Sequence, residues 1–132
     1  MTDLERAQEE FAKDRFATVC CGAVIDDVRP GYARCTLQLQ PDHCNAMGKP
    51  MGGALFTLAD FAFAVASNFD QTPVVSLTTQ ITFLSAAKGQ RLIAEAKQVK
   101  RGKNTCFFEV SVVDELGTLA ANVLVTGYVL NR

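Results

Sequence analysis

Sixteen consecutive residues, Gly52 to Ser67, read Gly-Gly-Ala-Leu-Phe-Thr-Leu-Ala-Asp-Phe-Ala-Phe-Ala-Val-Ala-Ser and contain one charged side chain, Asp60. Ala and Leu favour helix, and the segment is apolar on nearly every side, so it predicts a helix buried all round. It is too short to cross a bilayer, and Thr57 and Asp60 interrupt it. Such a helix needs a wrapping partner, and the rest of the chain must supply one.

The remaining sequence reads mostly as strands. Cys20 to Val28 and Tyr32 to Gln40 flank Arg29-Pro30-Gly31, where Pro and Gly supply turn dihedrals, and they form a hairpin. In the second run Ala33, Cys35, Leu37 and Leu39 alternate with polar neighbours. Past the helix, Val75, Leu77, Ile81 and Phe83 alternate with Ser76, Thr78, Gln80 and Thr82. Leu92, Ala94 and Ala96 alternate with Ile93, Glu95 and Lys97, and Cys106, Phe108, Val110 and Val112 with Phe107, Glu109 and Ser111. A last run, Leu119 to Leu130, is apolar on both faces. Turn signals at Lys88-Gly89, Arg101-Gly102-Lys103-Asn104 and Glu115-Leu116-Gly117 separate these runs. Thr2 and Glu5 form a capping-box pattern that opens an amphipathic helix reaching about Phe16, with Leu4, Ala7 and Phe11 on one face. No repeat or linker divides the chain, so residues 1–132 are read as one α+β domain: a largely antiparallel sheet curled around one apolar helix.

With 13 basic and 14 acidic residues the net charge is -1, which offers no overall field for nucleic acid or an anionic membrane. The start of the chain has no apolar run, so neither a secretory signal nor a transit peptide is expected. Five Cys without a C-x-x-C pair and a single His argue against a structural metal or a disulfide framework. Reduced thiols in a cytoplasmic, soluble protein, with no cofactor and no metal, are the expectation.

Asp60 is the residue that asks for an explanation. A carboxylate among Leu58, Ala59, Phe61 and Phe63 is satisfied by neighbouring hydroxyls, lies on a narrow solvent-facing stripe, or is raised in pKa, and the last condition suits a base or a nucleophile. Gly52 and Gly53 open the same helix, where free amides and the helix dipole could hold a polarised carbonyl; a plain loop-to-helix turn is the ordinary explanation of a lone Gly-Gly, and the pair gains weight only together with Asp60. The eight residues from Gly52 to Asp60 correspond to about 12 Å and about 800° of helix, so one copy cannot easily grip a single carbonyl carbon with both. Two antiparallel copies about a two-fold axis can, which predicts a homodimer with composite sites. Asn45 could orient a water or a carbonyl, or only bond its own loop. Thr78 lies on a polar strand face that solvent explains. His43 reads as a loop residue, and Lys100, Arg101 and Lys103 as solvated charge or a phosphate contact.

Taken together, Asn45, Gly52-Gly53, Asp60 within Phe56-Thr-Leu-Ala-Asp60-Phe-Ala-Phe-Ala, and the turns at Gly89 and Arg101-Gly102 resemble the PaaI-like hotdog-fold acyl-CoA thioesterases over about residues 18 to 130. The resemblance implies a helix wrapped by a long antiparallel sheet, and dimers that often pair again into tetramers. It implies Asp60 as base or nucleophile, the Gly52 amide on the thioester carbonyl, Asn45 as a positioning residue and Thr78 as a hydroxyl holding water or carboxylate. Gly53 and Met51 would border the substrate, and Arg101 and Lys103 would meet nucleotide phosphates. The family commonly has His directly before the two glycines, where this chain has Met51, which cannot donate a hydrogen bond.

The function so implied is hydrolysis of an acyl-CoA thioester to free acid and CoA. The alternative, made credible by Met51, is a catalytically weak acyl-CoA-binding or regulatory protein. A dehydratase would want a His paired with the acid, and His43 gives no such signal. Phe56, Phe61, Phe63 and Phe83 suit an acyl cavity or ordinary core packing, so the acyl group stays open.

Overall fold

The computed structural model describes residues 1–130. Helix α1 spans Asp3–Phe11, and the central helix α2 spans Gly52–Asn68. Six strands follow the expected order: β1 (Val24–Arg29), β2 (Tyr32–Gln38), β3 (Val74–Phe83), β4 (Arg91–Arg101), β5 (Thr105–Asp114) and β6 (Leu119–Val129). They form one antiparallel sheet in the order β1-β2-β4-β5-β6-β3.

The Thr2–Glu5 capping box forms as expected, with the Glu5 N–H donating to Thr2 Oγ1 and the Thr2 N–H to Glu5 Oε1. The helix it opens ends at Phe11 rather than Phe16. Its last turn has no basic residue and contains Glu9 and Glu10, which oppose the negative end of the helix dipole. The Thr18 hydroxyl then donates to the carbonyls of Ala12 and Asp14, and Phe16–Cys20 forms a separate wide turn that buries Ala17. The first strand accordingly begins at Val24, not Cys20, and the second ends at Gln38, not Gln40. Between β1 and β2, Gly31 takes the positive φ that the Pro30-Gly31 turn requires.

The concave face of the sheet holds the expected residues. Ala33, Cys35 and Leu37 on β2, Leu92, Ala94 and Ala96 on β4, and Cys106, Phe108, Val110 and Val112 on β5 are all buried. The small alanines let α2 lie close against the sheet. From the helix, Leu58, Phe61, Phe63 and Val65 fill the core, and Phe63 meets Phe108 edge-to-face at 5.3 Å. Each such large side chain stabilises the fold by about 1.5–3 kcal/mol through the apolar area it withdraws from water.

Strand β3 departs from the simple alternation. Leu77 is a bulge between the pairs Ser76↔Gly127 and Thr78↔Thr126, so the strand changes face there. Val74, Ser76, Thr79, Ile81 and Phe83 lie opposite inward residues of β6, whereas Val75, Thr78, Gln80 and Thr82 lie opposite outward ones. The expected grouping of Val75 with Ile81 and Phe83, and of Ser76 with Thr78, therefore does not hold. Both faces of β3 are largely open to solvent: Phe83 is 56% exposed and Leu77 58%. The opposite sheet edge, β1, is covered by α1, but among the described residues no strand lies beside the ten-residue edge of β3.

Candidate active site

The start of α2 is held by the loop that leads into it. The Met51 N–H donates to the His43 carbonyl, and Cys44 bridges to Pro50. His43 itself joins two loops: its Nδ1 accepts from the Gln40 N–H at 3.0 Å, and its Nε2 lies 2.9 Å from the Cys21 carbonyl. Asn45 Oδ1 accepts from the N–H groups of Met47 and Lys49 at 2.9 and 3.1 Å, fixing the turn before the glycines. Met51 is the N-cap, and its carbonyl accepts from Ala54 and Leu55. The N–H groups of Gly52 and Gly53 have no partner among the described residues, as expected of the first turn of a helix without a side-chain cap. A side chain at Gly52 would come within 2.9 Å of the Phe83 ring, so only a hydrogen fits there without displacing the ring. Gly52 and Asn45 share a cleft of about 510 Å³ with Phe83 and Leu84.

Asp60 lies two turns further on, on a stripe of α2 that the sheet leaves uncovered: Gly53, Phe56, Thr57, Asp60 and Ala64. The helix is therefore not buried all round as its composition predicts, because one sheet face covers only part of a helix. Asp60 is half-buried in a second cleft, about 200 Å³, between Phe16, Phe56 and Phe61, with Asp14 across from it. Among the described residues no side chain or backbone group donates a hydrogen bond to the Asp60 carboxylate, so neighbouring hydroxyls do not satisfy it. The Thr57 hydroxyl one turn back is turned to the Gly53 carbonyl at 2.8 Å. Burial pushes the Asp60 carboxyl above its ordinary value, and the Asp14 charge adds to that rise.

Within one chain, Gly52 and Asp60 thus open into different clefts, as their spacing along the helix requires. Gly53 is exposed at the helix start, and the Met51 side chain is 53% exposed beside it. Thr78 stands on the convex face of the sheet, away from α2; the β3 hydroxyls on the helix side are those of Ser76 and Thr79. The signal for this was present in the sequence, since Thr79 interrupts the apolar series that the simple alternation requires. Arg101 bonds the C-terminal end of α2 and the turn after it, donating to the carbonyls of Ser67 and Thr72 and to Gln71 Oε1. Lys103 lies in the turn between β4 and β5. Asp14 was not anticipated, because nothing local to its sequence places it opposite Asp60.

The thioesterase superfamily model matches residues 47–121, more than half of the chain and all of α2. This chain belongs to the thioesterase superfamily. Among curated relatives of this thioesterase-family chain, a putative esterase of Archaeoglobus fulgidus is 33% identical over 130 residues, covering 98% of this chain and 84% of that protein. Acyl-coenzyme A thioesterase 13 of Homo sapiens is 32% identical over 123 residues, covering 87% and 88%. The solved structure of Escherichia coli PaaI, from the phenylacetic acid degradation operon, superposes with a TM-score of 0.89 at 23% identity over 98% of this chain and 94% of that one. The fold is the hotdog arrangement of PaaI, in agreement with the resemblance drawn from the sequence.

Proposed function

We propose that this protein hydrolyses acyl-CoA thioesters at sites composed from two antiparallel copies of α2. The observation that carries the reading is Asp60: a half-buried carboxylate with no hydrogen-bond donor, on the uncovered stripe of a helix whose first amides are also unpartnered. The names of the acyl-coenzyme A thioesterase relatives support the substrate class. The uncovered stripe and the open β3 edge support the dimer, since pairing two β3 edges continues the sheet and sets two α2 helices side by side.

In such a dimer the thioester carbonyl oxygen accepts from the Gly52 N–H, and the partner's Asp60 faces the carbonyl carbon. Asp60 acts by one of two routes. As a base it takes a proton from water while the water oxygen bonds to the carbonyl carbon; collapse breaks the C–S bond, and the departing thiolate takes up that proton. As a nucleophile its oxygen attacks the carbon and expels the thiolate, leaving an anhydride that water then hydrolyses. Developing charge on the carbonyl oxygen is stabilised by the amide at the positive end of α2. Asn45 holds the loop that presents this amide. Pairing of two such dimers into a tetramer belongs to the same proposal.

An acyl-CoA panel read by free-thiol colour, run on the parent and on Asp60→Asn, tests the reading. The variant is expected to lose turnover while remaining dimeric; turnover equal to that of the parent ends the mechanism. Met51 favours a second reading, because its thioether cannot donate to a carbonyl or a leaving group. Tight CoA binding with negligible thiol release across the panel would select that binding protein instead.

A further inference from the structure

We propose that the nucleotide end of the substrate, the pyrophosphate and ribose phosphate of CoA, is held by Lys49 and Lys88 across the cleft between the loop before α2 and the loop after β3. The assignment rests on the acyl-CoA reading and names the residues that would grip the carrier. The cleft measures about 630 Å³; Asn45, Lys49 and Pro50 stand on one wall and Ala87, Lys88 and Gly89 on the other. No carboxylate lines it, and neither lysine makes an ion pair among the described residues. In a chain of net charge -1, two lysines flanking one cleft are a local attraction for an anion that the molecule as a whole does not provide.

Both walls are fixed while the lysine side chains remain exposed. The Lys49 N–H is bonded to Asn45 Oδ1 at 3.1 Å. The N–H groups of Lys88 and Gly89 donate to Asp114 Oδ2 at 2.8 and 3.0 Å, and those of Gln90 and Arg91 donate to the Glu115 carboxylate. Asp114 is buried at the foot of this loop and also accepts from the N–H groups of Leu116 and Thr118. Burial alone would raise its pKa; the N–H donors more than reverse that and hold it well below the usual carboxylate range. The lysine backbones are therefore set in place before any ligand arrives.

The cleft also leads to the chemistry. It shares Asn45, Lys49, Pro50 and Ala87 with the cleft that contains Gly52 and Phe83. A thioester on the Gly52 amide thus has a continuous route for its pantetheine arm toward the two lysines. Arg101 is elsewhere: it bonds the Ser67 carbonyl, about 22 Å along α2 from Gly52, and its donors engage backbone and Gln71.

The test compares the parent with Lys49→Ala/Lys88→Ala on an acyl-CoA and on the S-acyl pantetheine with the same acyl group. Loss of two charge-assisted phosphate contacts at an exposed site is expected to raise KM for the acyl-CoA by about tenfold, with kcat nearly unchanged. KM for the pantetheine thioester, which lacks the nucleotide, is expected to stay the same. An unchanged KM for the acyl-CoA, or an equal rise for both substrates, overturns the assignment. Calorimetric titration with adenosine 3′,5′-bisphosphate reads the lysines without turnover. Binding by the parent that weakens in the double variant supports them even if no thioester is hydrolysed; equal binding, or none by the parent, refutes them.

Discussion

Gly52→Pro deletes the amide proton that polarises the carbonyl in the proposed mechanism and leaves the helix start in place. Gly52 is the first residue of α2, where proline is well tolerated because that N–H has no intrahelical partner. Met51, at φ -69° and ψ 142°, already has the extended conformation that a following proline demands. A Cβ at this position meets the Phe83 ring at 2.9 Å, and that ring is 56% exposed and able to swing outward. The fold should therefore survive, while loss of one oxyanion donor costs about a hundredfold to a thousandfold in kcat. Neither Gly52→Pro nor Asp60→Asn alone should be active, but a mixed dimer regains one complete site, with Gly52 from the Asn variant and Asp60 from the Pro variant. Random pairing of equal amounts makes half the dimers mixed, each with one intact site of two, so about a quarter of the parent activity returns. The assay is thiol release after co-refolding the two variants, with thermal melts of each as the control for folding. Mixing that yields no more than the separate variants refutes the composite site, since a site built within one chain cannot be restored this way.

Asp60 must be ionised as either base or nucleophile, and its carboxyl is raised first by burial and then by Asp14. The acid limb of kcat/KM is therefore expected at a higher pH than an ordinary aspartate would give, with activity lost as pH falls through it. Asp14→Asn should move that limb to lower pH, and a pH–rate profile with an unmoved limb contradicts the pairing. Gly127→Ala places a methyl within 2.7 Å of Cys106 Sγ and 2.8 Å of Val74 Cγ1 in the buried core. It is expected to destabilise the fold by about 1–3 kcal/mol in denaturant titration; a variant as stable as the parent would show that these neighbours yield freely.

The concave sheet face was legible because burial there follows a strict alternation, and the central helix because it is apolar on nearly every side, although its uncovered stripe was not. Leu92, Ala94 and Ala96, and Cys106, Phe108, Val110 and Val112, point inward as their alternation requires. The capping box at Thr2 and Glu5 was likewise readable, being a contact between near neighbours. What escaped depends on contacts between distant segments. The Leu77 bulge moved Thr78 to the convex face; Thr79 within the apolar series is its one local sign, and a strand read by parity alone passes over it. Arg101 resembles a solvated hairpin charge until the Ser67 carbonyl of α2 that it bonds, 34 positions away, is in view. Asp14 and the Lys49–Lys88 cleft were illegible for the same reason: each joins loops that only the folded sheet brings together.

The carboxylates of Asp114 and Glu115 secure the loop after β3 through backbone amides, in addition to the packing of Ala87 against the core. Most of its anchoring is therefore backbone to carboxylate and depends little on the identity of the hydrophobic side chains of the interior. In the proposed acyl-CoA hydrolase, side chains that meet the acyl group could be exchanged for larger or smaller ones, altering which acids are released, while these backbone contacts at the mouth of the cleft are kept. A scaffold divided in this way can diversify in what it cuts while keeping one constant handle.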